Sequence, residues 1–350
     1  MTGRVLLYGA TGFSGRLLAA RLREAGLDVV LAGRDGVHLP RLAAALGMPC
    51  RVFGLGPGAP VDAALADIAV VLHAAGPFQH TAAPMLAACI RTRTHYLDLA
   101  GEWPVFAAAM ACSPAAGAAR VMLMPGVGFS LVASDCLLAL AAASVPDAAL
   151  LRLCISQPET IARGTVRSAV GQAAATVLVR RGGQLRAAPA GSLVRAFDFG
   201  DVARPATAIT LPDVVTGQFT TGVADIETYC EADWTVRLTQ LASAAAAPWM
   251  KTGAGQALAS LYSLAWPPAP SEAARRRGRL TLVVEAVDRW RRSRALRLRT
   301  LDGYSVTALA ATEIVRRVLR GEHAPGFRTP ASLFGAGFIL QLGCAALEPA

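Results

Sequence analysis

Lysine is almost missing from this chain: Lys251 is the only one, although 34 basic residues face 24 acidic ones. That scarcity excludes two chemistries. Short-chain dehydrogenases need a tyrosine four residues before a lysine, and Ala247 stands in that position. A P-loop needs its lysine directly after a glycine run, and there is none. A serine nucleophile elbow also fails, because Gly12-Phe-Ser14-Gly15 continues with Arg16 and not with glycine. The five histidines (38, 73, 80, 95, 323) form no i, i+4 pair and lack cysteine partners, so no metal site is expected. The seven cysteines form no C-x-x-C pair and read as small buried apolar side chains in a reducing, cytoplasmic setting. Charged residues are scarce at 17% against 54% hydrophobic ones, yet no apolar run reaches the ~18 residues of a membrane span. That lack predicts no integral membrane segment, and an apolar strand starting at Arg4 predicts no signal peptide.

The net charge of +10 is local. Between Ser271 and Thr300 ten arginines meet three acids, a net +7. Apolar and charged residues alternate there, over Leu280–Glu285 and again over Ala295–Thr300, which predicts a hairpin with one wet face. No aromatic platform or reading helix accompanies the arginines, so a small molecule and not a nucleic acid is the expected partner.

What the chain has in abundance is glycine at its start. Arg4–Tyr8 runs into Gly9-Ala-Thr11-Gly12-Phe13-Ser14-Gly15, and a helix from Arg16 to Ala25 follows with Leu17, Leu18 and Leu22 on one face. A strand turning through G-x-x-G-x-x-G into a helix is a dinucleotide fingerprint. The glycines admit a pyrophosphate, and the helix N-terminus offers unpaired N–H groups. Gly9, Thr11, Gly12, Phe13, Ser14 and Gly15 are therefore candidate cofactor residues. The next strand, Asp28–Ala32, stops at Gly33-Arg34-Asp35. An arginine there suits the 2′-phosphate of NADP, where a carboxylate would suit the 2′-hydroxyl of NAD. Gly33 and Arg34 join the cofactor set, and Asp35 is expected to cap the next helix.

Downstream the pattern alternates. A helix over Leu39–Leu46, a strand over Cys50–Phe53, a helix over Ala59–Ala66 and a strand over Ile68–Leu72 come first. A helix over Thr81–Arg91, a strand over His95–Leu99, a helix over Pro104–Ala118 and a strand over Val121–Met124 follow. Continuous apolar strands between helices predict a parallel sheet covered on both faces, with ligands beyond its carboxyl ends. Past Asp135 the texture shifts to strands at Ala149–Ser156, Ala206–Leu211, Gln218–Thr221 and Glu227–Glu231, one helix over 165–179, and the basic hairpin. The fold class is thus α/β: a Rossmann-type parallel-sheet domain with an inserted α+β domain containing an antiparallel sheet. The alanine-rich apolar segment 235–266 reads as a helical cover for that sheet, a lid over a greasy channel, the interface of an expected homodimer, or a membrane-surface contact beside Arg275–Arg277. An amphipathic helix over Tyr304–Leu319 precedes Gly326–Pro330.

These segments resemble the saccharopine dehydrogenase-like oxidoreductases, a group that includes trans-acting enoyl reductases. The likeness rests on Gly9–Gly15, Ala32-Gly-Arg34, Ala75-Gly-Pro-Phe78, Thr94–Glu102, Pro125-Gly-Val-Gly-Phe129 and Ser134-Asp135. Arg163–Arg167, Ile226–Tyr229, Asp302-Gly-Tyr304 with Thr307-Ala308, and Gly326–Pro330 extend it over nearly the whole chain. It implies a nucleotide domain over 1–125, a substrate and dimerisation domain over 126–302, and a helix and tail over 303–350 returning to the first. It also implies NADP as cofactor, with Ala75, Gly76 and Pro77 beside it. The group often has aspartate and proline where this chain has Ser130 and Ala133, which points to a changed substrate or weakened chemistry.

With no catalytic lysine and no metal, protonation falls to a carboxylic acid, tyrosine, histidine, cysteine or water. Asp98 and Glu102, one turn apart at a strand end, and Tyr96 just before are the candidate catalytic residues, with helix capping as the competing role of the two acids. Phe78, Phe129, Ser130, Arg163 and Tyr229 are the substrate candidates, Arg163 by resemblance alone. The expected activity is an NADP-dependent reductase acting on an activated C=C, C=N or C=O bond of a hydrophobic, polyketide- or lipid-like molecule. A non-redox cyclase or pseudo-enzyme that keeps the nucleotide scaffold is the alternative.

Overall fold

The structure is a computed structural model that describes residues 3–157, 176–232, 252, 261 and 269–349. The chain divides into two compact units, Met1–Val132 with Tyr304–Leu333, and Ala133–Gly303 with Phe334–Ala350.

The strands of the first unit are β1 (Arg4–Tyr8), β2 (Val29–Gly33), β3 (Cys50–Val52), β4 (Ile68–His73), β5 (His95–Asp98), β6 (Met122–Met124) and β15 (Gly326–Phe327). They form a seven-stranded sheet in the order β15-β6-β5-β4-β1-β2-β3. Every neighbouring pair is parallel. Val5, Leu6 and Leu7 of β1 and Val70, Val71 and Leu72 of β4 are all fully buried. Consecutive buried positions mean both faces are covered, each large side chain contributing about 1.5–3 kcal/mol. Between the strands run α1 (Phe13–Glu24), α2 (His38–Leu46), α3 (Val61–Leu65), α4 (Phe78–Thr92), α5 (Trp103–Ala111) and α6 (Ser113–Ala118). The single helix expected over 104–118 is broken at Cys112, where Pro114 opens α6 and cannot donate to the preceding turn. The order reverses between β1 and β4, so the crevice opens at their carboxyl ends.

The chain leaves this unit through α7 (Phe129–Ser144). The strands of the second unit are β7 (Ala148–Ile155), β8 (Thr176–Arg181), β9 (Gln184–Pro189), β10 (Val194–Asp198), β11 (Ala203–Ala208), β12 (Asp225–Glu231), β13 (Arg279–Asp288), β14 (Ser293–Leu301) and β16 (Ala345–Pro349). They form a nine-stranded sheet in the order β10-β11-β12-β7-β13-β14-β16, with β8 pairing β12 and β9. The sheet is mixed and not purely antiparallel, because β12 lies parallel to β7. The expected hairpin is β13–β14, paired in register from Arg279↔Leu301 to Val287↔Ser293. Helices α8 (Asp213–Thr221) and α9 (Glu272–Arg277) belong to this unit, and α10 (Gly303–Leu319) carries the chain back into the first.

Three local expectations need correction. Residues 176–179, expected at the end of a helix, form part of β8; residues 165–175 lie outside the described ones. Gln218–Thr221, expected as a strand, is the last turn of α8. Its threonines and phenylalanine favour a strand locally, but the burial of the whole first half of the helix, Asp213 to Gly217, overrides that, and Gly222 at φ 76° ends the helix. The chain end does not stay with the first unit: β16 pairs β14 from Leu296↔Pro349 to Thr300↔Ala345. The apolar segment 235–266 lies outside the described residues apart from 252 and 261. No helix among the described residues is long and apolar enough to cross a membrane.

Candidate functional site

The crevice is built from the glycine turn upward. Gly9 holds φ 89°, and a Cβ there would come within 2.7 Å of the Ala75 nitrogen. The Gly9 N–H donates to the Ala32 carbonyl (2.8 Å) and its carbonyl accepts from Gly12 N–H (3.1 Å). A Cβ on Gly15 would meet the Gly9 oxygen at 2.2 Å, so glycine alone lets α1 pack onto the turn. Gly12 is the N-cap of α1 and brings no side-chain acceptor to the first turn. A bare helix N-terminus behind a glycine turn is a cradle fitted to a pyrophosphate. Thr11, with a carbonyl that accepts from Arg16 Nε (3.0 Å), and Ser14 complete the turn.

At the end of β2, Gly33 is buried and Arg34 is exposed. Asp35 is turned away from the crevice: its carboxylate accepts from the N–H groups of Val37 (3.0 Å) and His38 (2.8 Å) and pairs with the His38 ring. Those hydrogen bonds stabilise the charged form and hold the carboxyl below its ordinary pKa. The expected cap is there.

The ends of β4 and β5 converge through Glu102. This residue is 3% exposed, and its carboxylate accepts from Phe78 N–H (3.3 Å) at the start of α4 and from Gly101 N–H (3.0 Å). The loop between, Ala75-Gly76-Pro77, is held by Thr81, whose hydroxyl donates to the Ala75 carbonyl (2.7 Å). Asp98 is fully buried and accepts from Tyr96 O–H (2.7 Å), Ala100 N–H (2.9 Å) and Gly126 N–H (2.8 Å). It therefore ties the β5 loop to the β6 loop. Burial pushes its carboxyl up to about 6 while the three donors hold it down. Tyr96, buried beside it, has its hydroxyl pushed well above the usual tyrosine value by burial and by Asp98. Beyond β6, Phe129 and Ser130 open α7, and the Ser130 hydroxyl donates to the Ala100 carbonyl (2.8 Å).

Three contributors were not among the site candidates, although Tyr304 and Thr307 lie in segments that carry the resemblance. Thr307, on α10, accepts from Phe129 N–H (3.0 Å). Tyr304 packs edge-on against Phe13, centroids 5.1 Å apart. His73 closes β4, fully buried between Tyr8, Phe78 and Tyr96, its ring bonded to Thr81 (3.0 Å). Burial lowers its pKa to about 3, so it stays neutral and anchors Thr81 under the Ala75 loop. A histidine ending a wholly apolar strand was the signal for it.

Of the remaining candidates, Arg163 lies outside the described residues. Tyr229 is in the second unit, 2% exposed, its hydroxyl donating to Glu227 (2.7 Å). Arg152 and Arg181 pair with the same glutamate. The Tyr229 hydroxyl is thus engaged in a buried polar network. No group of three or more metal-ligating side chains occurs among the described residues.

A Rossmann-type unit with this crevice, followed by a mixed-sheet unit, defines a class: the chain has the saccharopine dehydrogenase-like fold. It aligns with saccharopine dehydrogenase (L-Glu forming) from Saccharomyces cerevisiae at TM-score 0.63 and 12% identity, over 99% of this chain and 100% of that one. It aligns with homospermidine synthase from Legionella pneumophila, solved in complex with NAD, at TM-score 0.66 and 10% identity, over 99% and 92%. In sequence, 105 residues are 39% identical to the trans-acting enoyl reductase of Mycobacterium leprae, and 105 are 36% identical to that of Mycobacterium tuberculosis. Each match takes in 28% of this chain and 25% of the relative. No family model matches the chain.

Proposed function

We propose that the chain is an NADP-dependent oxidoreductase that passes hydride to an activated C=C, C=N or C=O bond of a hydrophobic, polyketide- or lipid-like small molecule. The observation that carries the cofactor is the end of β2, where Arg34 is exposed while the Asp35 carboxylate is spent on α2. A guanidinium grips a 2′-phosphate with a planar fork, and no neighbouring carboxylate competes for a 2′-hydroxyl. In this reading the first turn of α1 with Gly9 and Gly12 holds the pyrophosphate, and Ala75-Gly76-Pro77 lines the nicotinamide end. The nicotinamide, when bound, supplies the hydride. Phe78, Phe129 and Ser130 face the substrate in this unit. Glu102 is the residue assigned to the accompanying proton, because its bonds from Phe78 and Gly101 N–H (3.3 and 3.0 Å) are longer than the three that fix Asp98 (2.7, 2.9 and 2.8 Å).

The experiment is a titration of both cofactors. Arg34→Ala is expected to weaken NADPH about ten- to a hundredfold, one or two charge-assisted hydrogen bonds, and to leave NADH unchanged. Equal losses for both would overturn the assignment. The scaffold reading has one observation in its favour: both crevice carboxylates already accept backbone N–H groups. NADPH that binds but is not oxidised in the presence of hydrophobic enoyl or keto thioesters or of amino-acid imines would select it.

A further inference from the structure

One end of the second unit's sheet carries a rigid apolar and basic rim. The β13–β14 turn is braced by Asp288, whose side chain is 4% exposed and accepts from Trp290 N–H (2.9 Å), Arg292 N–H (2.9 Å) and Arg292 Nε (2.8 Å). The turn holds Trp290 outward, 56% exposed, with the guanidiniums of Arg289 and Arg292 over its ring at 4.1 and 5.0 Å. Arg291, at φ 67°, and Arg294 form no ion pair among the described residues. Arg289 pairs with Asp147 at 3.4 Å. The sheet register brings other turns to the same end. Val287 is opposite Leu150, which is opposite Asp225, and Asp225 accepts from Gly182 N–H (2.6 Å) in the β8–β9 turn. That turn meets α8, where Gln218 accepts from Arg180 (2.7 Å). Phe219 beside Gln218 is 42% exposed, and Leu185 just past the turn is 36% exposed.

We propose that this rim docks on an anionic lipid surface, Trp290 entering the headgroup layer with Phe219 and Leu185 at its margin, and Arg289, Arg291, Arg292 and Arg294 meeting lipid phosphates. The β13–β14 and β8–β9 turns, brought to one end of the sheet, suit a planar partner. An indole with flanking guanidiniums matches the membrane interface, where the ring is amphipathic and the arginine stems reach the phosphates. Nucleic acid would need an open ring face for stacking, and this ring already carries two guanidiniums. Each arginine near an anionic membrane adds about fivefold in binding.

The test is co-sedimentation of the full chain with vesicles of phosphatidylglycerol and phosphatidylcholine against vesicles of phosphatidylcholine alone. Binding to the first and not the second, weakening with salt, is expected. Trp290→Ala should lose about tenfold, Trp290→Phe less, and Arg291→Ala with Arg294→Ala together about 25-fold. Far-UV circular dichroism and urea unfolding midpoints that match the parent show that the variants are folded. Equal binding to both vesicles, no binding, or an unaltered Trp290→Ala variant would overturn the proposal. So would binding of an RNA homopolymer, or a chain–chain association seen in sedimentation, that depends on Trp290 while vesicles are ignored.

Discussion

Among the described residues the first unit buries one aspartate completely, Asp98, and the second buries two, Asp135 and Asp213; Asp98 and Asp213 differ in what surrounds the charge. Asp98 of the first unit meets one O–H and two N–H donors, and its carboxyl rises only to about 6. Asp213 of the second rises to about 7, pushed by burial and by the neighbouring Asp135, with the Ser134 hydroxyl and its own N–H acting against the rise. The cause is topological. Parallel strands end in loops whose N–H groups have no ladder partner, so Asp98 at such an end finds Ala100 and Gly126 waiting. Asp213 stands in the first turn of α8, where Val214, Val215 and Thr216 already donate to the carbonyls of Leu211 and Pro212. The cost of a buried charge follows from the donors its position supplies, not from depth alone.

The largest expected effect tests the glycine turn on which the first unit depends. Gly15→Val should destabilise that unit by about 3 kcal/mol or more and abolish NADPH binding, because its Cβ would overlap the Gly9 oxygen. A variant that melts and binds like the parent would remove the physical basis of the cradle.

Asp98→Ala comes next. It strips partners from three buried donors and should cost about 3 kcal/mol in urea unfolding, while Asp98→Asn, which keeps acceptor and shape, should stay within about 1 kcal/mol. Were Asp98 instead the proton donor, the asparagine variant would keep its stability and lose turnover.

Asp213→Asn sharpens the contrast through pH. The folded carboxyl is raised from 3.8 to about 7, so folding is favoured by the protonated form. That contribution is complete below about pH 4 and is lost as pH rises through 7. Asparagine cannot ionise. The variant should match the parent near pH 4 and exceed it at pH 8 by a few kcal/mol, since each tenfold change in acid strength is worth about 1.4 kcal/mol. Unfolding midpoints that shift equally at both values would count against a buried, ionising Asp213.

The smallest effect is at the surface. Asp35→Ala removes the α2 cap and should lower the thermal midpoint by only a few degrees. Because the same change leaves Arg34 in place, it should not improve NADH binding, as read in the cofactor titration.

The first unit was far more legible in sequence than the second. Its strands are unbroken apolar runs because both sheet faces are covered, and its turns need glycine because backbone passes within contact distance of backbone. Neither signal depends on distant partners. Where reading failed, tertiary packing had outvoted local preference. Val214 to Thr221 has strand-forming residues yet is helical, since its first half is buried all round. Strands β9, β10 and the terminal β16 carry exposed, polar or alanine-rich residues with little apolar alternation, so only their pairing reveals them.

The sequence by itself determined the nucleotide-type turn, the parallel sheet, the basic hairpin and the arginine at the end of β2. Each is written in residues a few positions apart, where sterics and periodicity act without help. Tertiary structure alone decided that Asp98 and Glu102 each bind a backbone donor from a loop remote in sequence, and that His73 and Thr307 support the crevice. Those outcomes depend on which donors the fold brings within about three ångströms, and hydrogen bonds form across space without regard to distance along the chain.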